Sequence, residues 1–245
     1  MTMQNKTLTL AGIPVLETVD DAQEQANMPL VLNFHGWQTA KPGQLVSSYL
    51  LAERGFRVLA PDANYHGDRQ QADFKLSQHP EIFWPIIGQS LQEVPDLLAA
   101  YPAARTVDVM GTSMGGITAI AALVCYETLH GGVSFVGTPA PRDFAAYQLG
   151  LLPEKVQAAF AAQKEAILNQ IAAFDLSCHP EKLAQRPLFL YNDTGDPTVP
   201  YQFTAPYQDQ LPKNIVYHVG QRQAHHVPYS TMVAGADFLQ AALKK

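Results

Sequence analysis

The stretch Gly111–Gly116, which reads GTSMGG, directly follows an apolar run rich in β-branched residues, Thr106–Met110. It holds Ser113 in the pattern Gly-x-Ser-x-Gly, which is typical of a nucleophile elbow between a buried strand and a helix. Such a sharp turn strains the backbone of the serine, and glycines two residues before and after it prevent side-chain collisions. The stretch therefore predicts an exposed serine hydroxyl at the N-terminus of a helix, where free N–H groups favour negative charge.

Two other interpretations of this stretch compete with the elbow. A phosphate-binding loop has similar glycine spacing, but it needs Lys followed by Ser or Thr, whereas this chain continues with Ile117 and Thr118. Five loosely defined positions also recur by chance in glycine-containing turns. The motif therefore supports a functional prediction only together with residues found later in the chain.

Length and composition limit the class of protein. The chain has 245 residues, of which 47% are hydrophobic and 16% charged, so we interpret residues 1–245 as one α/β domain with a large core. A net charge of −6 offers no basic face for nucleic acid, and no apolar run is long enough to span a bilayer. We therefore expect neither a nucleic-acid nor a membrane partner.

Two further features indicate the compartment. The first residues contain no apolar signal region, which favours a cytoplasmic protein. Cys125 and Cys178 fit a reducing compartment and have no metal-ligand spacing. We expect both cysteines to be packing residues and expect no bound metal.

Strand-like segments alternate with helix-like segments along the chain, which is typical of a mostly parallel twisted sheet flanked by helices. About eight strands are expected, the first two forming an edge hairpin. The predicted strands are Leu8–Leu10, Ile13–Leu16, Leu30–Phe34, Arg57–Ala60, Thr106–Met110, Val133–Val136, Leu188–Tyr191 and Ile215–Val219. The predicted helices are Gly43–Arg54, Glu81–Tyr101, Met114–His130, Tyr201–Gln210 and Pro228–Leu243.

One interval is longer than a single crossover needs. It separates the strand ending at Val136 from the strand beginning at Leu188, and it contains the Ala-, Gln- and Lys-rich segment Pro153–Phe174. We predict a small helical cap inserted at about 138–186, next to the carboxyl ends of the strands, where open α/β sheets bind ligands. A plain pair of surface helices is the alternative.

A serine hydroxyl needs a base, and the base needs a group that orients it. Two carboxylates, Asp193 and Asp196, follow the strand that ends at Tyr191, and the pair His225 and His226 follows the last strand. The order Ser, Asp, His, with each member just past a strand, is that of a hydrolase triad. A metal site at the histidine pair is disfavoured, because no further ligand lies at suitable spacing on the same element.

This ordered set of motifs resembles the α/β-hydrolase superfamily. The chain looks most like small bacterial carboxylesterases near the dienelactone-hydrolase and prolyl-oligopeptidase branches, from about Leu8 to Leu243. Besides the elbow, the resemblance rests on segments 33–37 (NFHGW), 61–67 (PDANYHG) and 193–200 (DTGDPTVP). It implies an α/β-hydrolase fold and a reaction that needs no cofactor.

The resemblance also implies individual catalytic residues. The family's loop pattern Gly-x-x-Asp-x-x-Val-Pro carries the acid, and residues 193–200 match it except that Asp193 replaces the glycine. The match selects Asp196 as the acid. Counting back from the apolar pair 238–239 favours His225 as the base by one position, which leaves His226 as a neighbouring or solvent-facing residue.

Acyl transfer also needs N–H donors for the tetrahedral oxygen. The elbow supplies Met114, and the resemblance implies that the backbone of Trp37 supplies the second donor. In the family a His-Gly pair such as 66–67 is usually structural. Residues expected to line the site are His35, Gly36, Tyr65, His66 and His226.

We therefore predict a serine esterase in which Ser113, His225 and Asp196 hydrolyse small, short-chain acyl esters through an acyl-enzyme. The same triad can also cleave peptides, thioesters or lactones, and a hydrolase scaffold can serve as a non-catalytic ligand-binding protein. The sequence leaves the oligomeric state open.

Overall fold

The computed structural model of the chain describes residues 2–208, 214–222 and 224–244. The strands are β1 Met3–Leu10, β2 Ile13–Asp20, β3 Leu30–Phe34, β4 Arg57–Pro61, β5 Val107–Thr112, β6 Gly131–Phe135, β7 Leu188–Asp193 and β8 Ile215–Gly220. The helices are α1 Leu45–Ala52, α2 Phe83–Ala99, α3 Met114–Cys125, α4 Pro141–Gly150, α5 Glu154–Phe160, α6 Lys164–Ala172 and α7 Tyr229–Ala242.

The strands form one sheet in the order β1-β2-β4-β3-β5-β6-β7-β8. The hairpin β1-β2 is antiparallel, β2 runs antiparallel to β4, and the pairs from β4 to β8 are parallel. The predicted mostly parallel sheet of eight strands is confirmed. The edge hairpin is also found, and both of its strands are longer than predicted.

Alternate residues of the central strands contribute to two separate apolar clusters, one on each face of the sheet. On β3, Leu32 belongs to the cluster that contains Ile117 of α3, whereas Val31 belongs to the cluster that contains Leu51 of α1 and Leu239 of α7. Strands covered on both faces need apolar residues at every position, which explains why the sequence of these strands is almost uninterrupted in apolarity.

Two predicted helices differ from the structure. The predicted helix at 201–210 is instead two short 3-10 helices, Tyr201–Phe203 and Ala205–Tyr207, and its last two positions lie outside the described residues. Pro206 lacks the N–H that a continuous helix would need. Helix α3 ends at Cys125 rather than at His130, because the chain must reverse to enter β6, and His130 N already donates to Val107 O at 2.7 Å.

The long interval between β6 and β7 forms α4, α5 and α6. Leu168 and Ile171 of α6 pack with Ala145 of α4 in a small apolar cluster. Trp84 of α2 contacts this cluster, and its indole Nε1–H donates to Gln148 Oε1 at 3.0 Å. These helices are therefore attached to the body of the molecule through the start of α2.

Two further predictions concern surface properties. The expectation that both cysteines are packing residues is wrong, because Cys125 and Cys178 are exposed. Cys125 is the last residue of α3, where the helix reaches the surface. Within the described ranges, no helix combines the length and apolarity needed to cross a membrane.

Candidate active site

Ser113 lies between β5 and α3 with φ 60° and ψ −119°. A non-glycine residue with such a φ is strained, as expected for the serine of a nucleophile elbow. Steric constraints explain the flanking glycines: a Cβ on Gly111 would lie 2.1 Å from Gly115 O, and a Cβ on Gly115 would lie 2.0 Å from Phe34 O. The predicted steric role of the glycines two positions before and after the serine is confirmed.

The structure brings Ser113, His225 and Asp196 together. His225 Nδ1 lies 2.6 Å from Asp196 Oδ2, and His225 Nε2 lies 2.7 Å from Ser113 Oγ. A carboxylate only accepts, so Nδ1 carries the proton, and Nε2 is free to accept the serine proton. The Asp196 side chain is fully buried, whereas that of His225 is 22% exposed. The imidazole is thus held by a buried carboxylate and is itself partly exposed to solvent.

The two oxygens of Asp196 have different partners. Oδ1 accepts hydrogen bonds from the backbone N–H groups of Thr198 at 2.8 Å and Val199 at 3.0 Å. Oδ2 is left to accept from the imidazole. The turn that follows β7 therefore fixes which oxygen faces His225.

Asp193, the alternative acid, has another structural role. It is the last residue of β7, with no positive φ, so the aspartate is accommodated without strain where the family pattern has glycine. Its Oδ1 accepts from Gly195 N at 3.0 Å, and its Oδ2 accepts from Arg222 N at 2.7 Å. The carboxylate thereby connects the loop of Asp196 to the loop of His225.

The predicted oxyanion donors lie at the ends of two loops beside Ser113. Met114 is the first residue of α3, and neither its N–H nor that of Trp37 donates to an acceptor within the described ranges. A Cβ on Gly36 would lie 3.5 Å from Ser113 Cβ, so the loop that carries Trp37 passes directly against the elbow. Within the described residues both N–H groups therefore lack a protein acceptor, as the predicted role requires.

Two of the histidines expected to line the site, His35 and His66, have both ring nitrogens hydrogen-bonded. His35 is 2% exposed and contacts Gly36 O through Nδ1 and Ala63 N through Nε2, at 2.8 and 3.0 Å. His66 is 1% exposed and accepts from Gln38 N at 3.1 Å, while its Nδ1 donates to Asn64 O at 2.9 Å. Burial lowers the pKa of both rings, that of His35 to about 4. Both are therefore neutral rings that brace backbone segments.

The other residues expected at the site are placed as follows. Tyr65 has a φ of 61° and packs its half-buried ring against Phe74 at 4.7 Å. His226 is exposed. Of the two adjacent histidines, it is His225 that contacts Ser113 and Asp196.

A buried ion pair joins Lys41 to Asp62 in the segment 61–67, and sequence reasoning did not identify it. Lys41 Nζ lies 2.5 Å from Asp62 Oδ2, and the Lys41 N–H donates to Asp62 Oδ1 at 2.8 Å. The backbone N–H of Asp68 also donates to this carboxylate, at 2.9 Å. No motif marks Lys41, whereas Asp62 lies within the segment 61–67 on which the resemblance rests.

Aromatic rings connect the loop that carries Trp37, called the oxyanion loop after its predicted role, to the inserted helices. Successive ring centroids lie 5.1 to 6.1 Å apart, beginning at Trp37 and ending beside α4 and the loop that follows β7. The rings in this series are Trp37, Phe83, Trp84, Phe144, Phe203 and Tyr147. Phe203 belongs to the segment that follows β7, seven positions after Asp196 in the sequence.

Metal chemistry has no visible site among the residues that the structure describes. In those ranges, no group of three or more His, Cys, Asp or Glu side chains is arranged to hold a metal ion.

Comparison with known proteins places the chain among esterases. No protein-family model matches it. "Putative esterase YitV" of Bacillus subtilis (strain 168) is 30% identical over an alignment of 257 residues that covers 98% of this chain and 100% of the relative. "Esterase YjfP" of Escherichia coli (strain K12) is 33% identical over 201 residues, 78% of each chain.

Solved structures show the same fold. TT1662 from Thermus thermophilus superposes with a TM-score of 0.75 at 21% identity, covering 100% of both chains. Est1E from Butyrivibrio proteoclasticus, solved with ferulic acid, superposes with a TM-score of 0.69 at 16% identity, covering 98% of this chain and 100% of Est1E. Taken with the esterase relatives, these matches establish that the chain belongs to the α/β-hydrolase superfamily, among its esterases.

Proposed function

We propose that the protein is a serine carboxylesterase with Ser113 as nucleophile, His225 as general base and Asp196 as the orienting acid. The observation that carries this proposal is the unbroken series of short contacts from Asp196 Oδ2 to His225 and on to Ser113 Oγ, at 2.6 and 2.7 Å. A nucleophile and a base within hydrogen-bond reach, with the base itself oriented, are the requirements for acyl transfer.

The reaction proceeds in two halves. His225 Nε2 takes the hydroxyl proton as Ser113 Oγ attacks the ester carbonyl, and the same imidazole then protonates the departing alcohol. The acyl-enzyme is hydrolysed by a water molecule that His225 deprotonates, and the imidazolium returns this proton to Ser113 Oγ as the carboxylic acid departs. In both halves the N–H groups of Met114 and Trp37 stabilise the negative oxygen of the tetrahedral intermediate.

We further propose small, short-chain acyl esters as substrates. The inserted segment between β6 and β7 consists of three short helices, α4 to α6, and Gln148 of α4 is bonded to Trp84 at the start of α2. We expect so small an insertion to leave a compact pocket rather than a long groove. Aromatic rings beside that loop favour apolar acyl or alcohol groups. The esterase relatives support cleavage of an ester over cleavage of a peptide.

A non-catalytic binding protein on the same scaffold is disfavoured by the intact contacts of Ser113, because scaffolds that have lost turnover do not need them. The two exposed thiols, Cys125 and Cys178, support a reducing, cytoplasmic location as part of this proposal.

The test uses p-nitrophenyl esters of graded length, from acetate to laurate, together with fluorophosphonate labelling followed by intact mass. We expect hydrolysis to fall as the acyl chain lengthens, and one label per chain that is lost in Ser113→Ala. Labelling of Ser113→Ala at the wild-type rate would contradict the proposed nucleophile. Preferential hydrolysis of laurate would contradict the proposed substrate class.

A further inference from the structure

The carbonyl oxygen of Gly36 accepts hydrogen bonds from three donors. His35 Nδ1 lies 2.8 Å from it, the Thr39 hydroxyl lies 2.8 Å from it, and Thr39 N lies 3.3 Å from it. A carbonyl oxygen has two lone pairs, so donors from an imidazole and from a turn backbone together fix its direction. The orientation of the peptide unit between residues 36 and 37 is thereby fixed.

This peptide unit also carries the N–H of Trp37. No peptide bond among the described residues is cis, and in a planar trans peptide the C=O and N–H point in opposite directions. The peptide lies against the elbow, because a Cβ on Gly36 would lie 3.4 Å from Thr112 O and 3.5 Å from Ser113 Cβ. Donors that hold the carbonyl therefore set the direction of the N–H beside the nucleophile.

We propose that His35 and Thr39 are positioning residues of the esterase reaction, which aim the Trp37 N–H at the developing oxyanion through the Gly36 carbonyl. The inference rests on the proposed function, since it gives a role to side chains around one of the two oxyanion donors. Preorganised donors stabilise a transition state more than mobile ones, because they need no reorientation during the reaction.

The tautomer of His35 agrees with this role. Its Nε2 accepts from Ala63 N at 3.0 Å, so the proton resides on Nδ1, the nitrogen that contacts the Gly36 carbonyl. Ala63 follows β4, so the imidazole connects the oxyanion loop to the loop beyond the neighbouring strand. Burial lowers the pKa of His35 to about 4, which keeps the ring in the neutral form that both contacts require.

The first experiment compares Thr39→Val, which removes only the hydroxyl, with Thr39→Ser, which retains it. With p-nitrophenyl acetate we expect kcat/KM to fall about 10-fold in Thr39→Val, less than the loss of a whole oxyanion donor, and Thr39→Ser to keep most of the rate. Thr231→Val on α7 serves as a control for the loss of a threonine hydroxyl away from the site; Thr231 is buried whereas Thr39 is exposed, so the control sets an upper bound on the loss of stability.

A second readout separates positioning from general stability. A trifluoromethyl ketone that matches the acetyl group forms a tetrahedral oxyanion adduct with the serine. Its affinity should weaken in Thr39→Val by about the same factor as kcat/KM falls, because both report oxyanion stabilisation. The thermal midpoint should change no more than in Thr231→Val.

Two substitutions that place a side-chain amide at different distances from the backbone test the two ring nitrogens of His35 separately. In His35→Asn the amide N–H₂ takes the place of Nδ1 and can donate to the Gly36 carbonyl, whereas in His35→Gln the amide oxygen takes the place of Nε2. We expect His35→Asn to retain several-fold more activity than His35→Gln.

The outcomes separate this inference from the proposed function. Wild-type protein that hydrolyses no ester and takes no fluorophosphonate label would overturn the proposed function. Active wild type with equal kcat/KM in Thr39→Val and Thr39→Ser, or with His35→Gln as active as His35→Asn, would overturn only the positioning roles.

Discussion

Replacing Asp196 with asparagine should abolish most of the activity without unfolding the protein. The substitution is isosteric, and the turn after β7 decides how the new amide is oriented. The N–H groups of Thr198 and Val199, at 2.8 and 3.0 Å from Oδ1, require an acceptor at that position. The amide oxygen therefore takes the place of Oδ1, and the N–H₂ group takes the place of Oδ2, facing His225 Nδ1.

This orientation forces the imidazole of His225 into the wrong tautomer. Nδ1 must then accept from the amide, so the proton moves to Nε2, the nitrogen that lies 2.7 Å from Ser113 Oγ. A protonated Nε2 cannot accept the serine proton. We expect kcat to fall about 10⁴-fold, which corresponds to about 5.4 kcal/mol of transition-state stabilisation.

The matched control is Asp193→Asn on the same loop. One of the contacts with Gly195 and Arg222 is lost whichever way the amide turns, because both residues present N–H donors. We expect a loss of about 1 kcal/mol in the free energy of unfolding and a rate reduced by less than 10-fold. Hydrolysis of p-nitrophenyl acetate and urea denaturation measure both effects. If Asp196→Asn kept more than a tenth of the wild-type rate, or if Asp193→Asn were the less active variant, the assignment of the acid would be wrong.

Three further predictions follow from other parts of the structure. His225→Ala should lower kcat for p-nitrophenyl acetate by about 10⁵-fold, whereas His226→Ala should change it less than 3-fold, and the reverse order would assign the base to the second histidine. Gly67 has a φ of +52°, and a Cβ at this position would lie 2.3 Å from the buried Asp62 carboxylate. Gly67→Ala should therefore lower the free energy of unfolding by about 3 kcal/mol. An unchanged urea midpoint would contradict the described turn. The Asp108 carboxylate raises the pKa of His130, so the folded protein binds this proton more tightly than the unfolded chain does. The stability advantage of wild type over His130→Gln should therefore be full below the ordinary histidine pKa. It should decline as pH rises through the raised pKa of His130. Urea titrations between pH 6 and pH 8 measure this last effect, and an advantage that grows with pH would refute it.

Local sequence determined the fold class and the order of the active-site residues. Buried parallel strands need apolar residues at every position, so most core strands were predicted to within two residues. The glycines of the elbow are required because a Cβ at either position would lie 2.0 or 2.1 Å from a backbone oxygen, and such steric requirements leave a readable pattern in the sequence. The predicted helix at 201–210 is wrong because Pro206 interrupts the helical apolar pattern and lacks the N–H that a continuous helix needs.

Only the tertiary structure decided how distant loops meet. His225 and His226 are adjacent in one loop, and the choice between them depends on how that loop is held, including the contact from Asp193 to Arg222 N. Likewise, the proposed positioning role of His35 depends on the location of its ring between Gly36 O and Ala63 N, which the sequence does not indicate. A hydrogen bond depends on direction and on tenths of an ångström, and neither is encoded in the spacing of residues along a chain.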